Sequence, residues 1–211
     1  MGAPRRRDAA GRGGRGARAR RRAPGRAVSR GSRVAVVGAY GAGKTTLVRA
    51  LSARLGLPVA ATTAMRDPVP GVPRALEDCS PEEVFQLVLR RFDERVRGET
   101  ALGDGLLSDG SVLHEWVYLA GVAAARREGA DLGPLARRAT CELARGLGRR
   151  YDLVVHVAPE VPLPPDAPID ATFQAALDRR TRAALRLSGV RAVTVTGDVE
   201  ERVAGVVGRL T

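Results

Sequence analysis

The sequence predicts an α/β fold in three layers, α/β/α, built on a five-stranded parallel sheet. Short apolar runs rich in valine alternate along the chain with longer segments whose apolar residues recur at helical spacing. Strands and helices that alternate in this way form a parallel sheet with helices on both faces, and ligands bind at the carboxyl ends of its strands. The 211 residues suffice for one such domain with its own core.

Each element can be placed from the pattern of residues. Glu83 completes a capping box with Ser80, which predicts a helix start, and five prolines predict a surface loop over 159–169. The predicted strands are 33–37, 59–62, 106–108, 153–157 and 192–195. The predicted helices are 46–55, 84–97, 112–127, 135–149, 172–187 and 199–210.

Residues 1–32 form a predicted disordered tail, and residues 33–211 form the predicted folded domain. The tail holds 11 Arg and one Asp, a formal charge of +10 out of the chain's +12, and has no apolar periodicity. It could bind nucleic acid through its charge, act as a targeting peptide, or lie upstream of the true start of translation. We expect no other contact with nucleic acid, because the domain carries only +2.

The cysteines and the hydropathy pattern indicate a cytoplasmic protein. Cys79 and Cys141 lie far apart and form no C-x-x-C motif, which suits a reducing compartment and predicts no metal site at either residue. The chain has no run of about 18 apolar residues, the length expected of a helix that spans a membrane.

Residues 38–45, Gly-Ala-Tyr-Gly-Ala-Gly-Lys-Thr, match G-x-x-x-x-G-K-[ST], the P-loop or Walker A motif. The motif lies between the first predicted strand and the first predicted helix, the context in which it binds nucleotides. Its glycines let backbone N–H groups turn towards phosphate oxygens, and the helix N-terminus adds partial positive charge. The predicted ATP-binding residues are Gly38, Ala39, Tyr40, Gly41, Ala42, Gly43, Lys44, Thr45 and Thr46.

Lys44 and Thr45 have specific predicted roles within the loop. Lys44 reaches the β- and γ-phosphates, and the Thr45 hydroxyl binds Mg²⁺. Lys44 is the only lysine of the chain, since the other 34 basic residues are all arginine. A phosphate loop needs a compact ammonium, which the planar guanidinium does not replace. The motif therefore predicts a P-loop NTPase that binds ATP with Mg²⁺.

Four acidic or basic side chains near strand ends are further candidates. Asp109 follows a predicted strand and either binds Mg²⁺ or polarises an acceptor hydroxyl; the alternative, a helix N-cap, is a role that Ser111 can fill. Asp198 is the rival acid, and capping of the last helix explains it. Asp67 and Arg66 follow the second strand and are either a general base and an anion anchor or a solvated pair.

The start of the helix predicted at 112–127 carries candidates for an acceptor site. They are Ser111, His114 and Glu115, which lie within about one turn of one another. Trp116 lies on the apolar stripe of this helix and is predicted to be a core residue. His156 alternates within an apolar strand, which favours a hydrogen-bonded core histidine.

Four stretches resemble a family of small bacterial ATP-binding proteins. This family is grouped with AAA-type ATPases and is close to nucleoside-kinase-like P-loop kinases, such as the kinase domain of NadR-type nicotinamide riboside kinases. The resemblance covers residues 33–210 and implies a kinase-like fold, ATP with Mg²⁺, and phosphoryl transfer to a small molecule. The stretches are the P-loop, Thr63-Ala64-Met65-Arg66, Leu76-Glu77-Asp78-Cys79-Ser80-Pro81 and Ser108-Asp109-Gly110-Ser111-Val112-Leu113-His114-Glu115-Trp116-Val117-Tyr118.

Two functions follow as hypotheses. In the first, the protein is a kinase that transfers the ATP γ-phosphate to a hydroxyl of a small-molecule acceptor, with Lys44, Asp109 and Asp67 as catalytic residues. In the second, it is a nucleotide-dependent regulatory ATPase that binds a partner protein. A GTPase is not expected, because an N-K-x-D motif needs a lysine other than Lys44.

Overall fold

The structure, a computed structural model, describes residues 31–61, 80–125, 133–167 and 169–210. The predictions for Arg66 and Asp67, and those for residues 1–30 of the tail, lie outside the described residues. Within the described ranges, the order of strands and helices is the predicted one.

Five parallel strands form the sheet, in the order β2-β3-β1-β4-β5. The central strand, β1, pairs with β3 on one side and with β4 on the other. The turn that leaves β1 therefore lies in the middle of the carboxyl edge of the sheet, where ligands bind in folds of this kind. The strands are β1 (Arg33–Val37), β2 (Val59–Ala60), β3 (Leu106–Asp109), β4 (Leu153–Val157) and β5 (Ala192–Val195).

Helices cover both faces of the sheet, as predicted. Val34 and Val36 of β1 pack in a cluster with residues of α1 and α6, whereas Ala35 and Val37 pack with residues of α2, α3, α4 and α5. This alternation confirms the three-layer α/β/α architecture. The helices are α1 (Lys44–Leu55), α2 (Pro81–Ala101), α3 (Val112–Ala125), α4 (Gly133–Gly148), α5 (Ala171–Ser188) and α6 (Val199–Leu210).

The differences from the predicted bounds are small and have local causes. The predicted capping box is present: Ser80 Oγ accepts from Glu83 N at 3.2 Å, and Ser80 N donates to the Glu83 carboxylate at 2.7 Å, so α2 begins at Pro81 instead of 84. The strand β3 extends one residue further than predicted, to Asp109, which pairs with Val36 of β1. No helix in the described ranges is long and apolar enough to cross a membrane.

Candidate functional site

The loop between β1 and α1 has a shape that favours glycine at Gly38, Gly41 and Gly43. A Cβ built on Gly38 would lie 2.6 Å from the carbonyl oxygen of Val157, closer than real Cβ contacts come. Gly43 has a φ of 88°, in the left-handed region, and is the N-cap of α1. Gly43 has no side chain that could accept a hydrogen bond from the first backbone N–H groups of α1. The N–H groups of Lys44, Thr45 and Thr46, at the start of the helix, are therefore not capped by the N-cap residue.

Side chains from the second half of the chain hold the backbone of this loop. Gln174 Nε2 donates to the Tyr40 carbonyl at 2.7 Å, and Arg202 Nη1 donates to the Ala42 carbonyl at 2.9 Å. Since the C=O and N–H of one peptide point in opposite directions, each bond also fixes the direction of the next N–H group. The loop is therefore preorganised by α5 and α6.

Arg202 also joins the loop to the segment that follows β4. Its Nη2 donates to Glu160 Oε2 at 2.8 Å, and the same oxygen accepts from Gly197 N at 2.8 Å. Leu163 of this segment lies beside Gly41, since its Cδ2 would be 3.0 Å from a Cβ built there. The predicted surface loop at 159–169 thus packs against the phosphate loop.

Lys44 lies inside the loop with its ammonium largely removed from water. Nζ donates to the Ala39 carbonyl at 2.8 Å. Burial lowers the pKa of Lys44 to about 8, although the carboxylates of Asp109 and Glu115 raise it. The side chain is therefore still charged at neutral pH, and an anion entering the loop would find a cation with few competing waters.

Thr45 and Asp109 bring two oxygen ligands together beside Lys44. Thr45 Oγ1 donates to Asp109 Oδ2 at 2.7 Å, across the carboxyl ends of β1 and β3. Mg²⁺ in nucleotide sites takes one or two protein oxygens and completes its octahedron with phosphates and water, so this pair fits it. Among the described residues there is no cluster of three or more His, Cys, Asp or Glu side chains that could hold a metal by itself.

Helix capping was the alternative role for both Asp109 and Asp198, and in the structure only Asp198 caps a helix. Ser111 Oγ accepts from His114 N at 3.2 Å, so Ser111 caps α3 while Asp109 faces Thr45. At the start of α6, Asp198 Oδ1 accepts from Glu201 N at 2.9 Å, and Asp198 N donates to Glu201 Oε2 at 3.0 Å. Asp198 is thus engaged in a capping box, as expected for the rival acid.

The comparisons with known proteins agree with this geometry. A family model described as an AAA domain matches residues 33–202. The chain belongs to this AAA-domain family. No curated protein has a sequence that matches it significantly.

Solved structures resemble this AAA-domain protein in fold. A deoxyadenosine kinase from M. mycoides with bound dCTP has 13% identity and a TM-score of 0.61, covering 84% of this chain and 98% of that one. A thymidylate kinase from Candida albicans has 14% identity and a TM-score of 0.59, covering 84% and 89%. The NadR protein in complex with NAD and AMP-PNP has 17% identity and a TM-score of 0.59; the match covers 86% of this chain and 49% of NadR. The fold is that of P-loop kinases.

Two candidate acceptor residues of the AAA-domain protein are buried and already have partners. Ser111 is fully buried at its cap. Glu115 is 1% exposed, and its carboxylate accepts from Arg91 Nε at 2.7 Å and from Arg95 Nη2 at 2.8 Å. Burial alone would raise the pKa of Glu115, but the two guanidinium groups outweigh it and hold that pKa at about 2. A contact of either residue with a small molecule stays a prediction.

The ion pairs of Glu115 belong to a buried polar network that pattern analysis missed. Ser108 Oγ accepts from Arg95 Nη1 at 2.8 Å and donates to Glu99 Oε1 at 2.7 Å, and the Tyr151 hydroxyl donates to the same oxygen at 2.7 Å. The sequence signal for this network is that residues 91, 95 and 99 recur every four positions, which places them on the buried face of α2. Removing one member of such a network costs about 3–5 kcal/mol.

His114, the third acceptor candidate, lies against the phosphate loop. Its ring lies close to the backbone of Gly38 and meets the Tyr118 ring edge-on, with centroids 4.9 Å apart. Nε2 is buried and has no hydrogen-bond partner among the described residues. Burial, and next the charge of Lys44, lower the pKa of His114 to about 3, so the ring is neutral at physiological pH.

The buried neutral state of His114 predicts a pH dependence of stability. The unfolded chain takes up the proton below pH 6.5 and the folded protein does not until about pH 3, so the free energy of unfolding should fall as the pH falls. The loss due to His114 is about 1.4 kcal/mol per pH unit. Urea unfolding should show that the free energy of unfolding of His114→Gln changes less with pH than that of wild type between pH 6.5 and pH 5.5, where most carboxylates are still ionised.

The second histidine contributes to the same pH dependence. His156 is a buried core histidine, with Nε2 2.8 Å from Asp178 Oδ1, and burial lowers its pKa too. The variants His114→Gln and His156→Gln should therefore each remove part of the slope, and the double variant should remove most of it. Equal slopes for wild type and His114→Gln would contradict the buried neutral histidine.

Proposed function

We propose that this protein is an ATP-dependent kinase that transfers the γ-phosphate to a hydroxyl of a small-molecule acceptor. The observation that carries the proposal is the contact between Thr45 and Asp109 beside Lys44. The kinases among the structural neighbours support it at the level of fold. We further propose that the protein works in the cytoplasm, where ATP is available.

The residues of the loop bind and orient the nucleotide in this proposal. The loop N–H groups and Lys44 bind the phosphates, and Lys44 offsets the charge that develops on the transferred group. Thr45 and Asp109 would hold Mg²⁺, which when bound neutralises charge on the β- and γ-phosphates. Gln174 and Arg202 keep the loop in the shape that receives the phosphates, and His114 lies against it.

The acceptor would lie near the carboxyl ends of β2 and β3. Ala60 of β2 pairs with Ser108 of β3, so the chain leaves β2 beside the strand that ends in Asp109. Arg66 and Asp67 follow β2 in sequence, and we propose them as the anion anchor and the general base for the acceptor hydroxyl.

One observation favours the second candidate, a regulatory ATPase with a partner protein. Kinases often stabilise the transferred group with an arginine, and the segment 158–170 next to the phosphate loop contains no basic residue. Arg182 of α5 is paired with Asp178, and it lies two helical turns beyond Gln174, the residue of α5 that contacts the loop. Arg202 contacts the backbone of the loop, but both of its terminal nitrogens are already engaged. A site of this kind would hold ATP without rapid transfer.

A ligand screen with the full-length protein tests the kinase proposal. The melting temperature is measured with Mg²⁺ and a non-hydrolysable ATP analogue in the presence of nucleosides, nucleotides and other hydroxyl metabolites. An acceptor should raise it further. With that acceptor, Asp67→Asn should lower kcat by about 10²–10⁴ and leave the affinity for Mg·ATP unchanged. Asp104→Asn, at an exposed turn, is the matched control. Unchanged kcat in Asp67→Asn would remove Asp67 from the mechanism.

A further inference from the structure

We propose that Arg95 is a positioning residue for Asp109, and that position 110 is glycine both because its φ is left-handed and because a side chain there would meet the Arg95 guanidinium. The inference rests on the proposed function, in which Asp109 and Thr45 hold the metal of Mg·ATP. In this proposal the helix α2, for which the sequence predicts no role in the site, controls the orientation of a metal ligand.

Arg95 reaches β3 at the residue where the strand ends. Nη1 donates to Ser108 Oγ at 2.8 Å and to the carbonyl oxygen of Asp109 at 3.2 Å. The Arg95 side chain is only 1% exposed, so it is not available to a phosphate in the loop. Its direct contact with the site is with the backbone and side chain at the end of β3.

The backbone after Asp109 is held from two sides. Gly110 N donates to the Val36 carbonyl at 2.8 Å, which fixes it to β1. On the other side, a Cβ built on Gly110 would lie 2.7 Å from Arg95 Nη2, and the φ of Gly110 is 101°. The guanidinium therefore occupies the space where a side chain would be. With both sides held, the Asp109 carboxylate points to Thr45 Oγ1 at 2.7 Å.

Glu115 keeps the guanidinium in this place. Its Oε1 accepts from Arg95 Nη2 at 2.8 Å, while Arg91 donates to both oxygens of the same carboxylate at 2.7 Å and 3.1 Å. Arg95 must therefore serve Ser108, Asp109 and Glu115 at once, with two nitrogens in one plane. A guanidinium has this fixed geometry, and an ammonium on a flexible stem does not.

The test is the effect of Mg²⁺ on ATP binding, measured by calorimetry on the full-length protein in EDTA and in excess Mg²⁺. Arg95→Lys keeps the positive charge and loses the planar guanidinium group. It should leave the metal-free Kd within about twofold of wild type and reduce the enhancement by Mg²⁺ about tenfold or more, the usual effect of residues that orient metal ligands. Gly110→Ala, which leaves Arg95 in the chain, should do the same.

Arg91→Lys is the matched control, because Arg91 binds the same carboxylate from one turn away in α2. It should keep the enhancement within about twofold. The proposal would be overturned if Arg91→Lys and Arg95→Lys lost the Mg²⁺ enhancement equally. It would also be overturned if Arg95→Lys weakened ATP binding equally with and without Mg²⁺. If circular dichroism shows that Arg95→Lys does not fold, Gly110→Ala decides, and a folded Gly110→Ala with normal enhancement overturns it.

Asp109→Asn separates this inference from the proposed function. If that variant keeps the full enhancement by Mg²⁺, Asp109 is not a metal ligand and the proposed function fails at that residue. If Asp109→Asn loses the enhancement while Arg95→Lys and Gly110→Ala retain it, only the positioning role of Arg95 fails.

Discussion

Replacing Lys44 with arginine is expected to reduce ATP turnover by about 100-fold or more, a loss of about 2.7 kcal/mol in transition-state stabilisation. The Lys44 ammonium lies inside the loop, 2.8 Å from the Ala39 carbonyl, and a guanidinium is too wide to take the same position. The fold should survive, because the apolar clusters on both faces of the sheet do not include this side chain.

Arg49→Lys is the control, since it makes the reverse exchange on the exposed side of the same helix, α1. Its turnover should match wild type. Circular dichroism and the melting temperature establish that Lys44→Arg is folded. Turnover of a folded Lys44→Arg within about threefold of wild type, a difference of about 0.7 kcal/mol, would show that Lys44 does not act on the phosphates.

Asp109→Asn is expected to weaken binding of Mg·ATP by about tenfold or more, about 1.4 kcal/mol, and to change binding of metal-free ATP much less. The variant exchanges a charged oxygen ligand for a neutral amide next to Thr45 Oγ1. It should also lower turnover, because the nucleotide is held without its correctly placed cation.

Asp104→Asn removes the same charge from an exposed turn that precedes β3, and it should bind Mg·ATP normally. This comparison separates a metal ligand from a general effect of charge. If Asp109→Asn weakened ATP binding equally in EDTA and in Mg²⁺, Asp109 would contribute through the shape of the loop and not through the metal.

Most of the fold could be predicted from local patterns. Buried parallel strands are short runs of apolar residues, so β1, β4 and β5 begin and end at the predicted residues. The start of α2 follows from a capping box whose members lie three residues apart. The phosphate loop was found in the same way, since its glycines, lysine and threonine occupy eight consecutive residues.

The side chains that hold the phosphate loop in place could not be predicted, because they are distant from the loop in sequence. Gln174 bonds the Tyr40 carbonyl across 134 residues, and Arg202 bonds the Ala42 carbonyl across 160. Arg95 presents a second difficulty. Pattern analysis treats a charged residue on a helix as solvent-facing, and only the structure shows that Glu115 accompanies it into the interior.

The fate of the γ-phosphate distinguishes a kinase from a regulatory ATPase. Wild type and Lys44→Arg are incubated with Mg²⁺, ATP labelled in the γ-phosphate, and the ligands that raise the melting temperature, and the labelled products are separated. Wild type should form ADP and an equal amount of a labelled organic phosphate, and Lys44→Arg should form almost none. Label found only in inorganic phosphate, with tight Mg·ATP binding and a partner protein retained only in the ATP state, would contradict the kinase and favour the regulatory ATPase.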